Sequence, residues 1–272
     1  MQHTTARDMT FEVEQGGDGP PVVLLHGFPE TAATWRAVAG MLQEAGYHTY
    51  APNQRGYSPG ARPEAVEAYA MDTLADDVLA LADAWGLDRF HVVGHDWGAA
   101  VAWKLTALHP ERVETLTAVS VPHLAAYGWA LANDADQQRR ASYIGLFRDG
   151  QRAEGLLLED DARRLIAMFE GRVPDDLVEE HVSTLREPGA LTAALNWYRA
   201  MGPETDLPAV RVPTTYVWST ADQALGRAGA ERCGDHVNAD YRFVELEGVS
   251  HWIPEEAPGE LAEIIVARAS GQ

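Results

Sequence analysis

The sequence predicts an α/β fold: a mostly parallel central sheet flanked by helices, with a helical segment inserted before its last strands. A fully apolar run at 22–25 has the character of a strand buried on both faces of a parallel sheet, and 91–94, with its short apolar run, reads as another strand. Helical stretches alternate with them; in one, Leu74, Val78, Leu81 and Trp85 fall at i, i+4, i+7 and i+11 and so share a face. From about residue 123 to 202 the strand signal disappears and helical runs follow one another.

Each element has its own signal. Residues 10–14 alternate apolar and polar and read as a strand, preceded by a short edge strand in 2–7. Gly16-Gly17-Asp18-Gly19-Pro20 is a turn, and the strand 22–25 runs into His26-Gly27-Phe28-Pro29. A helix over 34–45 stops at Gly46, and 47–51 is the next strand. Asn53 to Ser58 form a loop; the helix ending at Gly86 leads to the strands 91–94 and 113–119. Helical runs at 143–147, 153–170, 177–185 and 190–201 make up the insertion, read as a cap over the carboxyl edge of the sheet. Residues 203–213 are the return linker, 214–218 and 241–246 are strands, and 260–268 is the last helix. The organisation expected is core over 1–122, helical cap over 123–202 and core again over 203–272.

Composition narrows the function classes. A chain of 272 residues, 46% hydrophobic and 23% charged, can bury one sizeable core with an insertion. Its net charge of −20 argues against nucleic acid and anionic membrane surfaces as partners. The single cysteine, Cys233, excludes an intrachain disulfide and fits a reducing compartment. The first ten residues are polar without the apolar centre of a signal peptide, and no apolar run reaches membrane-spanning length. A cytoplasmic location is expected. No His/Cys/carboxylate cluster has ligand spacing, so neither metal nor organic cofactor is expected.

The chemistry starts at Gly94-His95-Asp96-Trp97-Gly98. An apolar strand enters it and a helix-compatible run leaves it, which is the strand–turn–helix setting of a nucleophile elbow with Asp in the central position. Small residues two positions either side of Asp96 let the helix start hard against the strand end, and its first N–H groups face the carboxylate. A carboxylate is the informative choice. Serine attacking saturated carbon makes an ether that water does not readily cleave, whereas a carboxylate makes an ester that can be hydrolysed at its own carbonyl. Asp96 therefore points to displacement at an epoxide or alkyl halide carbon.

Asp222 follows the strand 214–218 and His251 follows 241–246, so nucleophile, acid and histidine occur in the chain order of the α/β-hydrolases. His251 is the expected base, with Asp222 fixing its tautomer. The oxyanion formed when water attacks an Asp96 ester needs donors, and the backbone N–H groups of Phe28 and Trp97 are the natural ones. The side chains of Phe28 and Trp97, with Pro29, Trp35 and His123, are expected to line an apolar site. His26 and His95 flank active-site turns and are read as orienting backbone.

These residues resemble the epoxide hydrolases of the α/β-hydrolase fold, over nearly the whole chain: His26-Gly27-Phe28-Pro29, Arg55-Gly56-Tyr57, Gly94 to Ala99, Asp222 and His251-Trp252. The resemblance implies two cap tyrosines aimed at the epoxide oxygen. Asn196-Trp197-Tyr198-Arg199 supplies one, and Tyr143 in Ser142-Tyr143-Ile144-Gly145-Leu146-Phe147 the other, with Tyr127 and Tyr69 as alternatives for the second. Independent of family, an opened epoxide leaves an alkoxide that needs a donor opposite the carboxylate, and a phenol can supply the proton. The sequence departs from the pattern at Asn53, where Asp is usual, at Ser58-Pro59 after Tyr57, and at Ser219-Thr220-Ala221 before the acid.

The reading is an epoxide hydrolase acting on a small apolar epoxide with water as co-reactant. A haloalkane dehalogenase shares the Asp elbow and the following Trp, but Phe28 offers no side-chain halide donor. A non-catalytic binder on the same fold is the third reading, against an intact set of nucleophile, base, acid and donors.

Overall fold

Side chains of the second apolar run alternate between two cores. Val22 and Leu24 belong to one buried cluster and Val23 and Leu25 to another, as a strand covered on both faces requires. The computed structural model describes residues 1–202 and 207–271. Its strands are β1 (Gln2–Ala6), β2 (Met9–Gly16), β3 (Pro21–Leu25), β4 (His48–Pro52), β5 (Phe90–His95), β6 (Val113–Val119), β7 (Thr214–Ser219) and β8 (Tyr241–Leu246). They form one sheet in the order β1-β2-β4-β3-β5-β6-β7-β8. Pairings of β1 with β2 and of β2 with β4 are antiparallel; from β4 across to β8 every pairing is parallel. The carboxyl ends of β3, β5, β7 and β8 therefore open on the same edge, where such sheets bind ligands.

Helices α1 (Arg36–Glu44) and, at the far end of the chain, Pro258–Ala269 cover one face with Trp35, Leu42, Leu261 and Ile265. The opposite face is covered by α2 (Met71–Ala84) and α3 (Trp97–Leu108). Helix α3 is buried along nearly its whole length, from Gly98 to Ala107, because it is packed under both sheet and insertion. Between β6 and β7 come α4 (Leu124–Asn133), α5 (Ala135–Arg140), α6 (Tyr143–Phe147), α7 (Gly150–Met168), α8 (Asp175–Arg186) and α9 (Ala190–Ala200), with no strand among the described residues. Among the described residues no helix is long and apolar enough to cross a membrane.

Three details differ from the sequence expectation. Helices α4 and α5 fall where none was placed. His123 caps α4 by accepting from the Ala125 N–H at 3.3 Å, and Asp134 caps α5 by accepting from Gln137 N–H at 2.7 Å. The run 153–170 is not one continuous helix: Glu159 is extended and Asp160, Asp161 and Ala162 have φ of 51, 57 and 61°, a break where three carboxylates follow one another. Of the linker expected at 203–213, residues 203–206 lie outside the described residues.

The elbow depends on close approach. A Cβ at Gly98 would stand 2.1 Å from the Leu25 carbonyl oxygen, and one at Gly27 would stand 2.4 Å from the Asp96 Cβ. Helix α3 and the loop after β3 can reach their places only without those side chains. Gly98→Ala must push α3 away from β3, so it should cost about 1–3 kcal/mol. Urea unfolding measures this; an unchanged midpoint would mean the helix start is free to shift.

Candidate active site

Asp96 lies between β5 and α3 with φ 51° and ψ −119°, a left-handed backbone that a non-glycine residue adopts at a cost of order 1–3 kcal/mol. This backbone turns the carboxylate out over the sheet edge. The Phe28 N–H donates to its Oδ1 at 2.9 Å, so one of the two proposed oxyanion donors already engages the resting carboxylate. The Trp97 amide, first in α3, follows Asp96 directly.

His251, just past β8, faces Asp96 on its other side: Nε2 stands 3.6 Å from Asp96 Oδ2. Its Nδ1 lies 2.8 Å from Asp222 Oδ2. Asp222 is held in turn by the Ala224 and Leu225 N–H groups, at 2.8 and 2.9 Å on Oδ1. Burial by itself pulls the imidazole of His251 down, but it is outweighed by the charge and hydrogen bond of Asp222 and by Asp96, and the ring is raised well above its ordinary value. Asp222 would be raised by burial; the His251 ring and the two loop amides bring it below the usual carboxylate range. The two carboxylates flanking the ring thus favour its protonated form.

Above the carboxylate is a cavity of about 490 Å³, lined by Asp96 and Trp97 and, from the insertion, by Tyr127, Tyr143, Trp197 and Tyr198 among others. The rings pack edge to face: Tyr198 on Trp97 at 5.0 Å, on Phe147 at 5.0 Å and on Phe28 at 5.5 Å, and Tyr143 on Tyr198 at 6.2 Å. Burial raises both phenols well above their ordinary value, with Asp96 adding to the effect, so each is a neutral O–H donor at rest. The two alternative donors, Tyr127 and Tyr69, also line the cavity, but the Tyr69 hydroxyl is already committed to the Pro63 carbonyl at 2.8 Å. Tyr198 is set by its neighbour: the Trp197 indole N–H donates to the Arg55 carbonyl at 2.9 Å and so fastens α9 to the Arg55-Gly56-Tyr57 loop.

Of the five residues expected to line the site, Phe28, Pro29, Trp35 and His123 are not among those that line the cavity. Trp35 is fully buried with Val22, Leu24 and Val38, on the sheet face away from the cavity, because the turn after Pro29 carries the chain over to α1. Pro29 is buried and is not among the lining residues. His123 is spent at the start of α4, stacked on His236 at 4.5 Å, with its backbone N–H on Cys233 Sγ at 3.2 Å. Trp97 lines the cavity, and Phe28 supports it through Tyr198 and Phe147.

Sequence reading missed what stands behind the nucleophile. Glu30 is fully buried; its Oε2 accepts from the Gly27 N–H at 3.1 Å and lies 2.9 Å from His95 Nδ1. His95 Nε2 donates to the His251 carbonyl at 2.9 Å. The Thr34 hydroxyl lies 3.1 Å from Glu30 Oε1 and also contacts Glu255 Oε1. One hydroxyl hydrogen cannot serve two carboxylates, so one of the acids carries a proton. Burial would raise both. At Glu30 the His95 ring outweighs it and holds the carboxyl well below the usual range; at Glu255 the Glu30 charge adds to it, and the group is held well above. His181 of α8 closes the cluster, its Nδ1 accepting from the Thr31 N–H at 3.1 Å, and burial lowers it to about 4. A signal was present: Glu30 follows His26-Gly27-Phe28-Pro29 directly, and His181 sits on the apolar face of α8 with Val178, Val182 and Leu185.

A family profile for the alpha/beta hydrolase fold matches residues 20–258. The chain is 36% identical to the AB hydrolase superfamily protein YfhM of Bacillus subtilis, over 100% of this chain and 98% of that one. It is 34% identical to Epoxide hydrolase A of Mycobacterium tuberculosis, over 95% of this chain and 93% of that one. Among solved structures, Epoxide Hydrolase A of Mycobacterium thermoresistibile superposes with a TM-score of 0.88 at 28% identity, covering 99% of this chain and 98% of that chain.

The Glu255 carboxyl sets a pH dependence. Its folded pKa lies above the unfolded value of about 4.3, so its contribution to stability is full below that value and is lost as pH rises toward the folded pKa. Glu255→Gln keeps the neutral hydrogen-bonding shape and does not titrate. Relative to the parent, its melting temperature should be unchanged near pH 4 and higher at pH 8. A difference independent of pH would show that Glu255 is ionised in the fold.

Proposed function

The chain belongs to the epoxide hydrolases of the α/β-hydrolase fold, and we propose on that footing that it opens a small apolar epoxide to a vicinal diol through an ester on Asp96. One arrangement carries this reading: a carboxylate with the Phe28 amide on one oxygen and the His251 ring 3.6 Å from the other, below a cavity into which two phenols look.

In the first step Asp96 Oδ2, the oxygen free of the Phe28 amide, attacks an epoxide carbon. The carbon–oxygen bond of the ring breaks, its electron pair stays on oxygen, and Tyr143 and Tyr198 hydrogen-bond and protonate that oxygen. An alkoxide, the base of an alcohol about as weakly acidic as water (pKa ~15.7), draws the proton readily. The negative charge leaves Asp96 as the oxygen acquires it, so the part of the phenols' upward shift owed to Asp96 falls away in the step that needs their protons.

Esterification also prepares the second step. The ester is uncharged, and one of the two anions that hold the His251 ring protonated is gone. The imidazolium then gives up its proton, the tyrosinate being the nearby base that the first step produced, and the neutral ring takes a proton from water. Hydroxide adds to the Asp96 carbonyl, the oxyanion rests on the Phe28 and Trp97 amides, and collapse releases the diol with the proton returned from His251. The helices of 124–200 act in this scheme as a cap that supplies the oxygen donors and excludes water. No step calls for a metal or organic cofactor, and the one buried cysteine fits a cytoplasmic setting.

His251→Gln should form the ester and fail to hydrolyse it. Intact mass after mixing with styrene oxide should rise by the mass of one substrate, located on Asp96 by peptide mapping. A folded variant with no mass increase, or a parent enzyme whose first turnover in heavy-oxygen water labels diol before Asp96, would overturn the ester route. Tyr198→Phe and Tyr143→Phe should each lower the rate of ester formation by ~10²-fold or more, the scale of a positioned general acid. Stopped-flow tryptophan fluorescence follows that step, with Trp97 and Trp197 as reporters. Halide release from a chloroalkane, without diol from any epoxide, would favour dehalogenation instead.

A further inference from the structure

We propose that Asp77 is a positioning residue for epoxide opening, acting on Tyr198 through Arg55 and Trp197; this rests on the roles given above to Asp96 and Tyr198. Asp77 lies on α2 and is not among the residues lining the cavity. Its carboxylate takes two parallel hydrogen bonds from the Arg55 guanidinium. Nε donates to Oδ2 at 2.6 Å and Nη2 to Oδ1 at 2.7 Å, with both side chains buried.

A buried ion pair is a poor way to gain stability. Apolar residues of similar volume often serve as well, and burial outweighs the Arg55 charge at Asp77, leaving its carboxyl above the ordinary value. What the pair supplies is direction, since two bonds to a planar group fix where the guanidinium lies. The neighbouring carbonyls of the loop are bonded within the core. That of Asn53 accepts from the Ser58 hydroxyl at 2.6 Å, that of Gln54 from the Tyr57 N–H at 2.9 Å, and those of Gly56 and Tyr57 from Arg62 at 3.0 and 2.7 Å. The Arg55 carbonyl instead faces the insertion, where it accepts from the Trp197 indole at 2.9 Å. Residue 55 is thus anchored to α2 by its side chain and to α9 by its carbonyl.

Helix α9 meets this loop at two points one turn apart. Gly56 has φ 94°, and a Cβ there would stand 3.1 Å from the Ala193 carbonyl carbon, so the helix backbone lies directly on the loop. Four residues on, on the same face, Trp197 bonds the Arg55 carbonyl and packs edge to face on Tyr57 at 6.2 Å. Tyr198 is the next residue, about 100° further round the helix, where its ring meets Trp97 and Phe28. A shift of the Arg55 carbonyl is therefore passed to the Tyr198 phenol. Asp96, Asp222 and His251 stand beyond strand ends that the pair does not touch. Loss of the pair slows the step that uses Tyr198, ester formation, and spares ester hydrolysis, which turns on His251 and the Phe28 and Trp97 amides.

The test removes both charges together, as Arg55→Met with Asp77→Leu, so that neither is stranded; Arg7, the other cation near Asp77, keeps Asp76 at 3.1 Å. Arg55→Lys keeps the charge without the two parallel bonds, and it carries the same measurements if the double variant does not fold. In stopped-flow single turnovers with styrene oxide, both variants should form the ester more slowly and hydrolyse it at the parent's rate. The double variant should lose about 10-fold in the first step, inside the ~10²-fold cost of a misplaced group. Equal slowing of both steps, or no slowing of either, would overturn the proposal. Exchange of the Trp197 indole proton, its resonance identified by its loss in Trp197→Phe, follows the tether without turnover and should be faster in both variants. Protection equal to the parent's would overturn the proposal as well. If no epoxide esterifies Asp96 even in the parent, the epoxide-opening reading fails by itself; faster indole exchange in the variants then still upholds the coupling of the pair to α9, and unchanged exchange removes it.

Discussion

The site is built around one cation between two anions. His251 sits in a buried line with Asp222 at 2.8 Å and Asp96 at 3.6 Å, and burial is tolerable for each charge only because the others are there. A neutral imidazole would leave two carboxylates facing each other across it. The arrangement therefore favours a protonated ring at rest.

Holding that line in place is the work of groups that never meet substrate. Glu30 fastens the Gly27 amide next to the Phe28 donor, and through His95 it reaches the backbone carbonyl of His251. The same carboxylate thus bears on the loop after β3 and on the loop after β8. Glu255 and Thr34 extend the contact to α8 by way of His181. Two acids and two imidazoles in one dry region stay compatible because they do not all ionise: burial and the Glu30 charge favour the neutral form of Glu255, and burial favours the neutral form of His181.

The core was legible because its residues obey local rules. Strands 113–119 and 241–246 coincide with β6 and β8; β6 is buried on both faces and leaves little freedom in assignment, and β8, a largely exposed edge strand, is marked by its β-favouring residues and the Gly248 that follows it. The convergence of Asp96, Asp222 and His251 was readable because each stands just past the end of a strand on the same edge of the sheet. Trp35 was misjudged because sequence nearness to Phe28 says nothing about which face of the sheet a turn delivers it to. His123 was misjudged for a similar reason, its ring being used to start a helix that the sequence did not reveal. Glu255 and His181 act through contacts with Thr34 and Thr31 that lie 221 and 150 residues away, and Glu30 through His95, 65 residues on; local pattern does not connect such residues. Even the departure at Asn53 has a local cause. Its Oδ1 accepts from the Ala32 N–H at 2.8 Å while its Nδ2 donates to Glu12 at 3.2 Å; an aspartate could do the first and would be repelled in the second.

The division between core and insertion follows from what each step asks of the protein. In the proposed mechanism ester formation and cleavage need a carboxylate, an imidazole and two amides at fixed separations, and these all come from strand ends that the sheet holds in register. The oxygen donors must instead suit whatever is attached to the epoxide, and they ride on α6 and α9. The insertion is tied to the core through α8 and α9, by the Trp197 indole on the Arg55 carbonyl, His181 on Thr31 and the Arg36–Glu180 and Arg62–Glu187 ion pairs, and through α5, by Arg140 on the Asp222 carbonyl and Gln137 on the Ala224 carbonyl. In the proposed mechanism Tyr143 and Tyr198 must keep their places, since they are the phenols assigned to the forming alkoxide.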